Sequence, residues 1–151
     1  MIRYALLVCL LFSRIGYAQP PESMTDPKVQ VVQEFHENGT PKLWRQVVAG
    51  KAHGLWLEWN SDGQLRYRSY WQNGLGHGVW EYFHDNGQLR SRSYFIKDQA
   101  EGIYLEYYPD GSPHREWSYT NGKKHGWQIT YDVQGMRTRE WFEHGEVVEK
   151  R

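Results

Sequence analysis

One stretch of the sequence decides the fold: residues 73–89, NGLGHGVWEYFHDNGQL. Its glycines belong to tracks that recur every 24 residues along the chain. The first track is Gly39, Gly63, Gly87, Gly111 and Gly135, and the second is Gly54, Gly78, Gly102 and Gly126. A third track, Gly50, Gly74 and Gly122, keeps the same period with Asp98 in its gap. Tracks that stay in phase from residue 39 to residue 135 indicate tandem copies of one structural unit.

Each unit has the pattern of a β-hairpin. Asn-Gly and Asp-Gly at the first glycine track tolerate positive φ and predict a tight turn. Alternate positions are apolar on both sides of this turn, as at Leu55, Leu57 and Trp59 before it and Leu65 after it. A looser turn then leads to the next unit. No segment has a sustained helical period. We therefore predict an all-β fold, an elongated antiparallel meander of tandem hairpins with about nine or ten strands.

The turn also predicts which residues face each other. A three-residue loop at 61–63 would place Trp59 opposite Leu65, and hence Leu57 opposite Tyr67 and Leu55 opposite Ser69. The same register in later units pairs Phe83 with Leu89, Val79 with Ser93, and Ile103 with Trp117. Odd positions would then share a mostly apolar face, and even positions an amphipathic one.

The composition divides the chain into three segments. Residues 1–18 combine Arg3, an apolar run over residues 4–12, and the small residues Gly16 and Ala18 before Gln19. This pattern predicts a signal peptide cleaved near Ala18 and export to the periplasm or cell exterior, with a retained anchor as the alternative. Residues 19–29 carry three prolines and predict a flexible lead-in. The array occupies residues 30–151, in units of about 30–49 (partial), 50–73, 74–97, 98–121 and 122–145.

Charge and cysteine content exclude some functions. The chain has 18 basic and 18 acidic residues, and removal of residues 1–18 would leave 16 against 18. This balance disfavours nucleic-acid binding, which needs excess positive charge. Cys9 is the only cysteine and lies in the signal segment, so a cleaved chain would form neither a disulfide nor a thiolate metal site.

Residues 73–89 resemble the MORN-repeat family in its bacterial variant form, often labelled YwqK-type antitoxin components. The pattern recurs at residues 50–65 and more loosely at 121–135, whereas unit 98–121 departs from it at Asp98, Glu101 and Tyr104. The resemblance implies a sheet of stacked hairpins that binds or scaffolds, with protein partners or phospholipid membranes as its ligands. A cytoplasmic antitoxin needs no signal peptide, so an antitoxin-like neutraliser is the least favoured of these roles.

Aromatic and basic side chains recur at fixed positions and form the candidate binding surface. They are Trp56, Trp80, Tyr104, Tyr70 and Tyr94 with Arg66, Arg68, Arg90 and Arg92. Such aromatics could stack on a ligand, and such arginines could grip an anionic group. The alternative is structural, since thin sheets need aromatic packing and surface arginines pair across strands. The glycines of the first two tracks are expected to act in turns.

The remaining sequence patterns argue against metal binding and against catalysis. His53, His77 and His125 form one column with Glu101 in its gap, but units two strands apart place neighbours about 9.6 Å from each other, too far to share a zinc ion. The sequence has no nucleophile elbow, no phosphate loop and no Cys/His pair. We therefore predict a non-enzymatic, exported protein-binding or scaffolding module without cofactor or metal. The alternatives are a module for cell-wall glycan or for anionic phospholipid membranes.

Overall fold

The structure, a computed structural model, describes residues 28–150, so the predicted signal peptide and nearly all of the lead-in lie outside the described residues. The described part folds as β-strands throughout. The strands are β1 Val29–Phe35, β2 Pro41–Val48, β3 Lys51–Trp59, β4 Leu65–Gln72, β5 Leu75–Gly76, β6 Gly78–Phe83, β7 Leu89–Ile96, β8 Gln99–Ala100, β9 Gly102–Tyr107, β10 Pro113–Thr120, β11 Lys123–Tyr131, β12 Arg137–Glu143 and β13 Glu146–Lys150.

The strands form one open antiparallel sheet in chain order, which confirms the predicted all-β meander of hairpins. Its path runs β1-β2-β3-β4-β6-β7-β9-β10-β11-β12-β13, with β5 paired to β4 and β8 paired to β7. The count in residues 28–150 is thirteen strands rather than nine or ten. The excess includes β5 and β8, because an irregularity at His77 and at Glu101 separates each two-residue piece from the strand that follows.

The three-residue loop at the first glycine track is confirmed. In the hairpin of β3 and β4, Gly63 N donates to Asn60 O and Asn60 N donates to Gln64 O, each at 2.9 Å. Residues 61–63 are therefore the loop, and Trp59 faces Leu65 as expected.

The second turn of each unit was expected to be the looser one, and this expectation is wrong. Gln72 pairs with Leu75, so only Asn73 and Gly74 connect the strands. Their φ angles, 54° and 87°, are both positive, as a type I′ turn requires. Such turns match the right-handed twist of the flanking strands, which explains why Asn-Gly stands here. Asp98 fills the glycine gap at φ 66°, and its Oδ1 accepts a 2.5 Å hydrogen bond from Gly76 N.

A β-bulge overturns the rest of the expected register. Beyond the Trp59–Leu65 pair, Glu58 faces Tyr67, because Arg66 is an extra residue on β4. Leu57 therefore faces Arg68 rather than Tyr67, and Leu55 faces Tyr70 rather than Ser69. Phe83 faces Leu89 as predicted, but Val79 faces Tyr94 rather than Ser93, and Ile103 faces Ser118 rather than Trp117. One extra residue moves every later side chain of its strand to the other face.

The bulges sort the side chains onto two faces, since directly opposed residues in antiparallel strands share a face. The face that we call the indole face carries Trp56 opposite Ser69, with Tyr67 and Trp71 on the same strand. The other, here the ionic face, carries one row of directly opposed residues across five strands. That row is Leu57, Arg68, Glu81, Arg92 and Leu105.

Both faces contribute to the core. On the ionic face, Trp44 lies opposite Leu57, and these two side chains are 4% and 3% exposed. Trp59 on the same face and Tyr67 on the indole face are also buried. Truncation of a fully buried leucine costs about 2–5 kcal/mol, so the burial of Leu57 against Trp44 stabilises the pairing of β2 with β3.

Hydrogen bonds between turns connect one repeat to the next. His36 Nε2 donates to Trp59 O at 2.9 Å, and His84 Nε2 donates to Tyr107 O at 3.0 Å. Asn38 Nδ2 and Asn86 Nδ2 make equivalent bonds to the carbonyls of Ser61 and Pro109. These polar turn residues thus have a structural role, since they satisfy backbone carbonyls of the neighbouring repeat.

Candidate functional site

The structure does not bring the nine candidate binding residues onto one surface. Trp56, Trp80 and Tyr104 lie on the indole face. Arg66 lines a surface pocket together with Trp56, and Arg90 lines a second pocket together with Trp80. Tyr70, Tyr94, Arg68 and Arg92 lie on the ionic face, because the bulge in each hairpin reverses their orientation. The candidate set therefore splits into two separate surfaces.

The indole face carries a row of aromatic rings in direct contact. Trp71 lies between Trp56 and Trp80, with ring centroids 5.5 Å and 5.0 Å away. Phe95 continues the row at 4.6 Å from Trp80. Trp71 and Phe95 were absent from the candidate set, because without the bulge their odd positions appeared to belong to the opposite face. Their period of 24 residues was visible in the sequence.

Tyr67 fills the space beneath this row. Its ring packs edge-on against Trp80 at 5.9 Å and lies 4.6 Å from Tyr82. Burial raises the pKa of the Tyr67 hydroxyl well above its ordinary value, and the nearby Tyr82 and Glu58 act in the same direction. The phenol is thus held neutral inside the packed part of the indole face.

On the ionic face, one buried carboxylate joins two arginines from neighbouring strands. Glu81 is 2% exposed. Its Oε2 accepts a 2.6 Å hydrogen bond from Arg68 Nε, and its Oε1 accepts a 2.9 Å bond from Arg92 Nε. Two guanidinium groups face one carboxylate, so this cluster carries one net positive charge. Arg92, with its side chain 51% exposed, is the member that solvent or a partner reaches most easily.

Next to this cluster lies an exposed apolar row, which we call the tyrosine strip: Tyr70, Val79, Tyr94 and Ile103. Val79 lies directly opposite Tyr94, and the register of Arg68 with Glu81 and of Arg92 with Leu105 places Tyr70 and Ile103 at the two ends. Tyr70, Tyr94 and Ile103 are 43%, 41% and 54% exposed. At the usual strand spacing the strip is about 14 Å wide.

One histidine of the column and the glutamate in its gap contact turns, whereas Nδ1 of His77 and Nδ1 of His125 are buried without a hydrogen-bond partner. His53 Nδ1 accepts a 3.4 Å hydrogen bond from Asn73 N, and Glu101 Oε2 accepts a 2.8 Å bond from Asn121 N in the equivalent place. Within residues 28–150, no three His, Cys, Asp or Glu side chains converge on a metal-sized site. In the same residues no helix has the length and hydrophobicity to cross a bilayer.

Comparison with known proteins agrees with this geometry. The family profile described as MORN repeat variant matches residues 52–73, 76–97 and 100–123. Each matched segment contains one hairpin of the sheet. It begins near a type I′ turn and covers the two strands that the three-residue loop connects. No curated protein shows a significant match to the chain. Residues 52–123 therefore contain three MORN repeats of the variant type.

Proposed function

We propose that this chain is an exported, non-enzymatic protein-binding module, and that the tyrosine strip is the surface its partner covers. The observation that carries the proposal is the exposure of Tyr70, Tyr94 and Ile103 on the same face of the sheet. Contiguous exposed apolar side chains on a soluble protein commonly mark an interaction surface. Tyrosine is among the residues that contribute most to the energy of protein interfaces.

The charge beside the strip indicates the kind of partner. The cluster of Arg68, Glu81 and Arg92 carries one net positive charge, and the guanidinium of Arg92 is half exposed. A segment with apolar side chains next to acidic ones would match this arrangement. An anionic membrane is less well matched, because Glu81 already neutralises part of the positive charge on this face.

The repeat character of the chain supports a non-enzymatic role. The prominent aromatic and basic side chains recur with the 24-residue period, whereas a catalytic site is a single constellation of different groups. Repeat arrays present extended surfaces on which several weak contacts add up.

The strip proposal is tested by capture from the envelope fraction of the native host. The purified protein is compared with the double variant Tyr70→Ser/Tyr94→Ser. A second double variant, Val133→Ser/Met136→Ser, removes two apolar side chains of higher exposure, 73% and 71%, outside the strip. We expect one reproducible partner with wild type and with the second variant, reduced at least about tenfold with the strip variant.

Two outcomes would overturn the proposal. One is capture that is equal for all three proteins, and the other is the absence of a reproducible partner together with salt-sensitive binding to vesicles of anionic phospholipid. Export is tested separately by sequencing the N-terminus of the protein isolated from its host. A chain that starts at Gln19 supports export, and an intact Met1 on cytosolic protein opposes it.

A further inference from the structure

Three positions on the indole face change size between consecutive repeats. Tyr67, Trp71 and Trp80, where units 50–73 and 74–97 meet, are followed 24 residues later by Ser91, Phe95 and Tyr104. The larger set packs the first junction between repeats, where Trp71 touches the rings on either side. Each replacement at the next junction removes aromatic volume from an equivalent place.

The loss of volume opens a slot between Phe95 and Tyr104. The slot encloses about 500 Å³. Trp80 and Phe95 form one side, Tyr104 and Tyr119 form the other, and Ser91, Ser93, Ala100 and Gly102 line the base. A Cβ added to Gly102 would meet nothing within 4 Å, so the base is open at this point. Tyr104 and Tyr119 are uncharged at neutral pH, and burial raises the pKa of each further.

A serine at the base of the slot differs from its equivalent in the preceding repeat. Ser69 is 0% exposed, and its Oγ accepts a 2.8 Å hydrogen bond from Trp71 Nε1. Ser93 occupies the same place one repeat later but is partly exposed, and Phe95 has no N–H to offer it. The hydroxyl of Ser93 therefore faces the slot as a donor and acceptor for a ligand.

Charged groups stand at one end of the slot. Arg90 is exposed and lines the slot, as do the carboxylates of Glu101 and Glu106. Glu106 is held in position, because its Oε2 accepts bonds from Arg115 Nη1 at 2.7 Å and from the Tyr104 hydroxyl at 3.1 Å. Its Oε1 lies 3.7 Å from His114 Nδ1 and retains capacity to accept a further hydrogen bond.

We propose that this slot binds a pyranose ring of a glycan. A pyranose presents an apolar C–H surface that packs on aromatic rings, and hydroxyls around its rim that need donors and acceptors. The slot supplies both, with aromatic walls and with Ser93, Arg90 and Glu106 at its base and end. Its volume lies within the range of small-ligand sites, roughly 300–1,000 Å³. One arginine, Arg90, and two carboxylates, Glu101 and Glu106, line the slot, and Arg115 pairs with Glu106, so the four charges balance. This balance favours a neutral sugar over an anionic one.

Tyr94 belongs to the tyrosine strip and also lines the slot, whereas Tyr70, Val79 and Ile103 do not line it. The slot is therefore tested with variants at other positions. Calorimetric titration with chitotetraose, cellotetraose and maltotetraose tests it on the purified chain. We expect at least one of these oligosaccharides to bind. The decisive variant is Phe95→Trp, which restores the residue found at Trp71 and fills the slot, and should weaken binding at least about tenfold.

Two further variants make the test specific. Ser93→Ala keeps the shape of the slot but removes its hydroxyl, and should weaken binding by about two- to tenfold. Tyr70→Ser, on the ionic face, should leave sugar binding unchanged. The proposal is wrong if none of the three oligosaccharides binds wild type, if Phe95→Trp binds like wild type with an unchanged unfolding midpoint, or if Tyr70→Ser abolishes binding. If Phe95→Trp fails to fold, an unaltered affinity in Ser93→Ala would overturn it.

Discussion

Nε of Arg68 lies 2.6 Å from Oε2 of Glu81, and this pair links strands β4 and β6 where their backbones share only two paired positions. The carboxylate is nearly inaccessible, and Arg92 of β7 holds its other oxygen. The ion cluster thus connects the hairpin of one repeat with the hairpin of the next.

The cluster should contribute measurably to stability. Glu81→Ala leaves two arginines without their acceptor and is expected to lower the free energy of unfolding by about 2–4 kcal/mol in urea titrations. Arg68→Ala should cost more than Arg92→Ala, because the Arg68 side chain is 30% exposed and that of Arg92 is 51% exposed. Equal costs for the two arginine variants would show that burial does not control the strength of these contacts.

Two glycines of the second track should differ in how they tolerate alanine. Gly54 and Gly102 have nearly equal φ angles, 78° and 74°, so both substitutions carry a backbone cost of about 1–2 kcal/mol. At Gly54 the new Cβ would clash with Oε1 of Gln46, which accepts a 2.8 Å hydrogen bond from Leu55 N. We expect Gly54→Ala to lower the free energy of unfolding by about 1–3 kcal/mol more than Gly102→Ala does. Urea unfolding of the two variants measures this difference. Identical unfolding curves would contradict the role of Gln46.

Alkaline pH should destabilise the protein through Tyr67. Burial raises the pKa of Tyr67 in the folded chain, whereas the unfolded chain titrates near the ordinary value of 10.0. Stability is therefore fully present below pH 10 and falls above it, because the unfolded state loses its proton first. Tyr67→Phe should flatten this alkaline decline in urea titrations. When wild type is titrated to alkaline pH, the phenolate absorbance of Tyr67 should appear only as the chain unfolds. If the phenolate absorbance of every tyrosine appears before unfolding, the Tyr67 hydroxyl is not buried.

Trp71→Phe should create a second slot at the first junction between repeats. It removes the indole between Trp56 and Trp80 and frees Ser69 from its 2.8 Å hydrogen bond. The expected cost is about 1–3 kcal/mol of stability, from lost packing and one lost hydrogen bond. A new binding event for the oligosaccharide that binds wild type is expected in calorimetry. A stoichiometry that stays the same would mean that Tyr67, still in place, keeps this junction closed.

The positions of the turns follow from local chemistry, and for this reason they were predictable. Asp62-Gly63 and its equivalents predicted a three-residue loop, and the structure has that loop. Asn73-Gly74 was expected in a looser turn, although the dipeptide itself is typical of the type I′ turn that it forms. In both cases the backbone preference of a few adjacent residues decides the outcome.

By itself the sequence determined the period, the hairpins, the three-residue loop and the all-β meander, because each depends on φ preferences and alternation within a few residues. Only the tertiary structure decided which side chains share a face. The sequence around Arg66 and around Arg90 could form a strand with or without a bulge. Pairing with the neighbouring strand selects the bulged register in both hairpins. That selection separates Tyr70 from Trp56, exposes the tyrosine strip, and places Phe95 beside Trp80, since in a strand a shift of one residue reverses the direction of every side chain.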